Sequence, residues 1–306
     1  MTHGFGDGIR GAFVFGENIG ATEPNENRIS RELDSFDCLV VQEIFPNETT
    51  AHADVVLPAS SWAEKAGTVT NTDRQVQRMR PTTDPPGNAR TDLDILCELG
   101  RRLANLTDEP FEYDGPEAVF AELTRLTPQY AGMSYAGIGK GSQRWPFSEG
   151  ADEDSRGVGV LHRERFSNGK RRAPLVQVEY VEPAAEGDGD ESLVLTTGRV
   201  IEHFNSSVVT RRSDVLTHLK STDSLQIHPD DAGERGIEDG NHIVVENENG
   251  QIEATAAVTS SIRPGVVFLT FHFTEWLVNR LTGDELDPES KIPTYKHVPV
   301  YVERLE

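Results

Sequence analysis

The stretch from Ser224 to Phe273, SLQIHPDDAGERGIEDGNHIVVENENGQIEATAAVTSSIRPGVVFLTFHF, constrains the fold more than any other. Leu225 and Ile227 alternate with polar residues, which predicts a half-buried strand. Pro229 to Glu234 predicts a short helix, with Pro229 at its first position, where a missing N–H costs nothing. Gly236 closes it, because a residue past a helix end often needs positive φ. Asp239-Gly240 and Asn249-Gly250 are Asx-Gly pairs that predict tight hairpin turns. Ile243 to Val245, Ile252 to Val258 and Val266 to Thr270 are the β-rich runs between the turns. Short strands at close spacing with glycine at each corner predict a small closed β-barrel.

A chain of 306 residues holds two ordinary domains. Asp plus Glu number 51 and Lys plus Arg 29, a net charge of −22 that is spread along the chain. Only six of the cations are lysine. Sparse lysine with dispersed carboxylates predicts a halophilic protein, since hydrated carboxylates keep it dispersed when other charges are screened. The balance argues against nucleic acid as a partner, which calls for a basic face. Cys38 and Cys97 sit in the apolar runs DCLVV and LDILCELG and read as buried small residues. There is no CxxC, so no iron–sulfur cluster is expected in this chain. With no signal peptide and no 18-residue apolar run, the expected location is cytoplasmic, without membrane insertion.

The first third reads as part of an open α/β sheet. Gly11 to Phe15, Cys38 to Val41 and Ala53 to Leu57 are short apolar runs, and Asn27 to Phe36 is an amphipathic helix with Ile29 and Leu33 on one face. Near-continuous apolar strands around a helix predict a parallel sheet with both faces covered. Ligands of such sheets sit beyond the carboxyl ends of the strands. Two such ends are Gly16-Glu17-Asn18 and Gln42 to Asn47. Taken alone, a Gly-Glu-Asn after a strand is more often just a turn. Arg90 to Leu106 predicts a helix whose leucine stripe (Leu93, Leu96, Leu99, Leu103, Leu106) is core, with Thr91 and Asp94 forming an approximate capping box. Pro116 to Leu126 is a second helix, and from Gln129 the chain is expected to be irregular. The small acidic run 184–191 reads as a linker.

Three segments in order, FGENIGATEPNENRI, LVVQEIFPNETTAHADVVLPASSWAEKAGTVTNTDRQVQR and PPGNARTDLDILCELGRRL, resemble the large subunits of formate dehydrogenases, and the barrel stretch resembles the double-psi β-barrel that ends the molybdopterin oxidoreductases. The resemblance covers essentially the whole chain but half or less of the family's length. It implies an α/β fold: a partial Rossmann-like parallel sheet domain (1–130), an irregular connecting region with linker (131–190), and a C-terminal six-stranded double-psi β-barrel that binds a molybdopterin dinucleotide (191–306).

The implied cofactor is a molybdopterin guanine dinucleotide, as a molybdenum or tungsten bis-MGD centre. The implied contacts come from Gly16, Glu17 and Asn18, from Gln42, Glu43 and Asn47, and from Arg74 in the polar stretch 64–80. In the barrel they come from Gly198, Arg199, His203 and Asn205, and from the closing residues Asn279, Tyr295 and Lys296. Glu43 stands where the family usually has Asp, and Asn47 where it has Thr. A carboxylate there can accept two guanine N–H groups together. Gly198 admits a close backbone approach, and Arg199 offers planar donors. A lone histidine such as His203 is more often structural. His228, His242 and His272 have no metal-ligand spacing and read as structural.

The family's iron–sulfur domain and its Cys or selenocysteine ligand with the following His have no counterpart in this chain. No catalytic or metal-binding residue is therefore assigned. Two expectations follow. The chain is the cofactor-binding part of a formate-oxidising enzyme whose other half is a separate chain. Alternatively it is a truncated remnant or a stand-alone molybdopterin-binding module. In either case the isolated chain is expected not to oxidise formate.

Overall fold

The computed structural model describes residues 9–104, 111–152, 155–177, 179–180 and 192–305. Its contacts divide the chain into two compact units, Met1–Val56 with Tyr180–Glu306, and Leu57–Glu179. The linker expected over 184–191, like Asn105 and Leu106 of the predicted helix, lies outside the described residues.

The first unit opens with strand β1 (Gly11–Phe15), helices α1 (Ile19–Thr22) and α2 (Glu26–Asp34), and strand β2 (Cys38–Glu43). β1 and β2 pair in parallel with Phe13 opposite Val40, and β3 (Val55–Pro58) is third in the order β1-β2-β3. Ile29 and Leu33 turn the buried side of α2 onto Leu39 and Val41, as their spacing requires. The opposite face is open, contrary to the expected two covered faces. Phe13 and Phe15 are 41% and 45% exposed, and Val55 and Val56 are also exposed. Cys38 lies on the exposed side of β2 and is not buried as its apolar neighbours suggested, because alternate residues of a strand face opposite ways. Cys97 is half-buried.

The barrel uses β7 (Leu193–Gly198), β8 (Leu225–Ile227), β9 (His242–Asn247), β10 (Gly250–Val258), β11 (Val266–Thr270) and β12 (Val298–Arg304). They close in the order β10-β8-β11-β7-β12-β9. β7 with β11 and β8 with β10 are parallel pairs, and the other pairings are antiparallel. Parallel neighbours need long crossovers: β8, β9 and β10 lie in sequence between β7 and β11, and α7 (Pro229–Glu234) with β9 lies between β8 and β10. Alternation sends Leu195, Leu225, Ile227, Ile243, Val245, Val267, Leu269 and Val300 into a fully buried interior.

Helix α7 (Pro229–Glu234) ends before Gly236 at φ +62°, as the sequence predicts. The second hairpin differs by one residue. Asn247 pairs with Gly250, so Glu248-Asn249 form the turn and Gly250 starts β10 without positive φ. Glycine is needed there for close approach. A Cβ would lie 2.8 Å from the Arg280 carbonyl oxygen and 2.6 Å from Asn27 Nδ2. The Asn247 side chain supplies the turn instead, accepting from the backbone N–H groups of Asn249 (3.0 Å) and Gly250 (3.3 Å).

The second unit contains β4 (Gly67–Thr70), β5 (Gln75–Met79) and β6 (Gln143–Arg144) in an antiparallel sheet, with α3 (Asp92–Leu103), α4 (Pro116–Leu126) and α5 (Tyr135–Lys140). Thr91 caps α3 by accepting from the Asp94 N–H at 3.2 Å. The leucine stripe of α3 is not its core. Only Ile95 is buried, and Leu103 is 51% exposed. The region beyond Gln129 is more ordered than its composition suggests. Met133, Tyr135, Ile138 and Phe147 pack with Val76 and Phe120 into a second core. The remaining helix of the first unit is α6 (Asp214–Leu219). No helix among the described residues is long and apolar enough to cross a membrane.

Candidate functional site

Strand β7 runs out at Gly198 and passes the chain to Arg199 at the mouth of a cleft of about 650 Å³. One wall is Thr197, Gly198, Arg199, Asn205 and Phe271; a second is Glu17 with Ala21 and Thr22 of α1; Asn279, Tyr295 and Lys296 complete it. Seven of the fourteen residues anticipated from sequence thus share one cavity: Glu17, Gly198, Arg199, Asn205, Asn279, Tyr295 and Lys296.

The walls are tied together. Asn279 Nδ2 donates to the Ala21 carbonyl at 2.9 Å, and the Tyr295 hydroxyl donates to the Thr22 carbonyl at 3.1 Å. Thr197 Oγ1 donates to the Tyr295 carbonyl at 2.8 Å, and Lys296 donates to the Thr197 carbonyl. Arg199 lies 5.4 Å over the Phe271 ring and gives one N–H to Asn205 Oδ1 at 3.1 Å. Burial, and then the positive charge of Arg199, push the Lys296 ammonium below its usual range. Burial, and then the Glu23 carboxylate, raise the Tyr295 phenol to about 12. Neither Arg199 nor Lys296 forms an ion pair among the described residues. Two cations that raise each other's energy in one cleft form a site that an anionic group would relieve.

The other anticipated residues are placed differently. Asn18 is buried and its amide is fully used. It donates to Glu48 Oε2 (2.6 Å) and Ser206 Oγ (3.3 Å) and accepts from the Thr49 N–H (3.2 Å) and hydroxyl (3.1 Å). It therefore braces the β1 end against the loop after β7. Gly16 donates its N–H to the Gln42 carbonyl at 2.9 Å, and the Gln42 side chain is buried. Glu43 folds back on its own loop, accepting from the Ile44 N–H at 2.7 Å and from Asn47 Nδ2 at 3.4 Å. His203 is buried behind the cleft wall, bonded to the Lys220 carbonyl (2.7 Å) and Thr210 Oγ1 (3.1 Å). Arg74 belongs to the Leu57–Glu179 unit. Its guanidinium donates to the carbonyls of Trp145 and Gly159 (3.2 Å) and stacks on Trp145. The extra cations of the Thr210-Arg211-Arg212 run are also engaged. Arg211 pairs with Glu275 (2.5 and 2.8 Å), and Arg212 covers the Phe45 ring at 4.3 Å.

Sequence reasoning missed Phe271, Ala21 and Thr22. Phe271 follows an apolar strand and reads as core, and the α1 residues contribute backbone carbonyls that no side-chain motif announces.

The molybdopterin oxidoreductase family matches residues 3–102, and the molydopterin dinucleotide binding domain matches 193–299. The chain is 39% identical over 300 residues to the F420-dependent formate dehydrogenase subunit alpha of Methanocaldococcus jannaschii, covering 98% of this chain and 44% of that one. It is 33% identical to the assimilatory nitrate reductase catalytic subunit of Bacillus subtilis, over 94% of this chain and 41% of that one. Among solved structures, the acetylene hydratase of Pelobacter acetylenicus superimposes with a TM-score of 0.71 at 18% identity, over 97% of this chain and 44% of that one, a likeness of fold. The chain spans under half the length of these relatives, and with both matched segments contributing to one cleft it belongs to the molybdopterin oxidoreductase family.

Proposed function

We propose that the chain holds a molybdopterin guanine dinucleotide in the cleft between α1 and the barrel, as the cofactor-binding part of a formate dehydrogenase. The observation that carries this reading is the adjacency of Arg199 and Lys296, cations without carboxylate partners among the described residues, in a chain of net charge −22. They suit the pyrophosphate of a dinucleotide. Asn279 suits a heteroaromatic edge, and the bare Cα of Gly198 makes room for the Phe268 ring, which a Cβ there would meet at 2.4 Å. Glu43 and Asn47, at the end of β2, are proposed for the guanine, their mutual bond giving way to the base. When bound, the cofactor supplies two-electron chemistry at a molybdenum or tungsten centre, with formate giving carbon dioxide. The roles of this chain are to bind the dinucleotide, orient it and exclude water from its phosphates.

The coverage of 44% of the alpha-subunit relative supports the proposal that the iron–sulfur and metal-ligating regions come from further polypeptide. A stand-alone molybdopterin-binding module is the second reading, favoured by a cleft to which both matched segments of this chain contribute walls. The test is to purify the protein from its native source and measure pterin, guanine nucleotide and metal. Stoichiometric pterin with metal and a co-purifying cluster-bearing polypeptide supports the first reading. Pterin on a lone chain supports the second. Pterin that is absent from wild type, or retained equally by an Arg199→Ala, Lys296→Ala double variant, refutes both.

A further inference from the structure

We propose that His272 is a positioning residue for the cofactor cleft: as a neutral imidazole it latches both ends of the loop 200–205, and its protonation releases the Val200 end. His272 follows β11 and is fully buried. Its Nε2 accepts from the Val200 N–H at 3.0 Å, and its Nδ1 donates to the Asn205 carbonyl at 2.5 Å. A backbone N–H can only donate and a carbonyl can only accept, so the pair fixes the tautomer. The backbone carbonyl of His272 takes a third bond, from Ser207 Oγ at 2.6 Å. One residue thus holds the loop at positions 200, 205 and 207.

The loop needs holding. Asn205 and Ser207 both have left-handed backbones, at φ +46° and +61°, which side-chain-bearing residues adopt only when their surroundings impose it. The cleft residue Arg199 immediately precedes this loop and Asn205 ends it, and Phe271, next to His272, supplies the ring under Arg199. Held this way, the Arg199 guanidinium is aimed before any ligand arrives.

The latch works in one charge state. A proton on Nε2 would point N–H at N–H across 3.0 Å and break the bond to Val200. The surroundings oppose that proton. Burial is the largest cause that lowers the His272 pKa below the ordinary 6.5, followed in that direction by His203 and Arg199, against the Asn205 carbonyl and Asp223, which raise it. Asp223 is itself paired with Lys220 at 3.1 Å. A histidine with a depressed folded pKa contributes stability that is present above about 6.5 and is lost as pH falls through the folded value. The loop should therefore open on acidification.

The functional half rests on the cofactor reading, and the latch itself does not. The experiment uses the full chain as wild type, His272→Gln and His272→Phe. Hydrogen exchange is read at Val200, as a protection factor corrected for intrinsic rates, with Leu195 in the barrel as reference. Wild type should lose about tenfold in protection at Val200 between pH 7.5 and 5.5, the size expected for one buried hydrogen bond, with Leu195 unchanged. Glutamine, which can donate and accept but not titrate, should keep protection and flatten the pH dependence. Phenylalanine should lose protection at both pH values. If it fails to fold, the imidazole nitrogen shifts of wild type decide, because a protonated ring at pH 7.5 overturns the latch. Equal pH dependence in wild type and the glutamine variant also overturns it. Tightly held pterin, released as a fluorescent product, is measured on the same samples. Retention that falls with Val200 protection supports the link to the cleft, and retention that ignores it overturns the link. Wild type without pterin at pH 7.5 sinks the cofactor reading, while the exchange result still decides the latch.

Discussion

Replacing Asn18 with aspartate leaves the shape of the side chain and changes an NH2 group to an oxygen. The NH2 of Asn18 lies 2.6 Å from Glu48 Oε2, so the variant would set two carboxylates against each other at that distance. Their repulsion at an effective dielectric constant of about 20 is about 6 kcal/mol. The pair has a cheaper option, which is to bind one proton and share it. At pH 7 this costs about 4 kcal/mol, because the solution lies about three units above an ordinary carboxylate pKa at about 1.4 kcal/mol per unit. The smaller figure governs, so the expected destabilisation is about 4 kcal/mol at pH 7 and about 1 kcal/mol at pH 5. The sign follows from linkage. The folded pKa of the pair is raised, so the penalty is absent below the unfolded pKa and grows as pH rises toward the folded one. Ser206 can turn its hydroxyl to donate, and Thr49 keeps its acceptor, so neither adds to the difference.

Urea unfolding of wild type and Asn18→Asp at pH 5 and pH 7, at constant salt, measures it. A difference below about 1 kcal/mol that is equal at both pH values would mean that the amide does not face Glu48, and the bracing of the β1 end against the barrel loop would be wrong. Asn18→Ala is the control. It leaves the buried Thr49 N–H without an acceptor, so it should cost about 1–3 kcal/mol with no pH dependence.

Leu225→Ala empties a fully buried position in the barrel and should lower stability by about 2–5 kcal/mol in denaturant titration. Gly250→Ala places a methyl group 2.8 Å from the Arg280 carbonyl, so it should cost about 1–3 kcal/mol even though φ there suits alanine. The phenol of Tyr295, raised to about 12, should be missing from the ultraviolet titration near pH 10. Because that pKa is raised on folding, its stabilising effect is full below pH 10 and fades toward 12, and Tyr295→Phe should remove this alkaline loss.

The barrel was legible because its signals are local. Strand alternation from Leu225 to Thr270, a proline at the start of α7 and Gly236 at its end each act within a few residues. Where a signal had two causes, reading it was harder. Gly250 serves close approach while Asn247 makes the turn, and the dipeptide alone does not separate them. Cys38 and the leucines of α3 sit in apolar runs, but which side of a strand or helix is covered depends on what packs there. The site divided along the same line. Arg199, Asn279, Tyr295 and Lys296 were named through a family motif and do share a cleft. Arg74, from the polar stretch 64–80, and His203, from the motif after β7, were named through the same resemblance, yet their polar atoms are occupied by backbone carbonyls and Thr210, which only the fold could reveal.

The seam between α1 and the barrel joins these observations. The carbonyls of Ala21 and Thr22 accept from Asn279 Nδ2 and the Tyr295 hydroxyl, Asn25 donates its N–H to Thr282 Oγ1 at 3.2 Å, and Arg280 pairs with Glu26 at 3.0 Å. Each bond links residues more than 250 positions apart, so none contributes until both matched segments have folded. The cleft has walls from both segments, and its cations come from the barrel alone. A barrel without the β1–α1 region would keep Arg199 and Lys296 but lose Glu17, the α1 wall and the anchors of Asn279 and Tyr295. Anion attraction would then persist without orientation. The cations of the cleft thus come from one matched segment, and the bonds that hold its walls together join both.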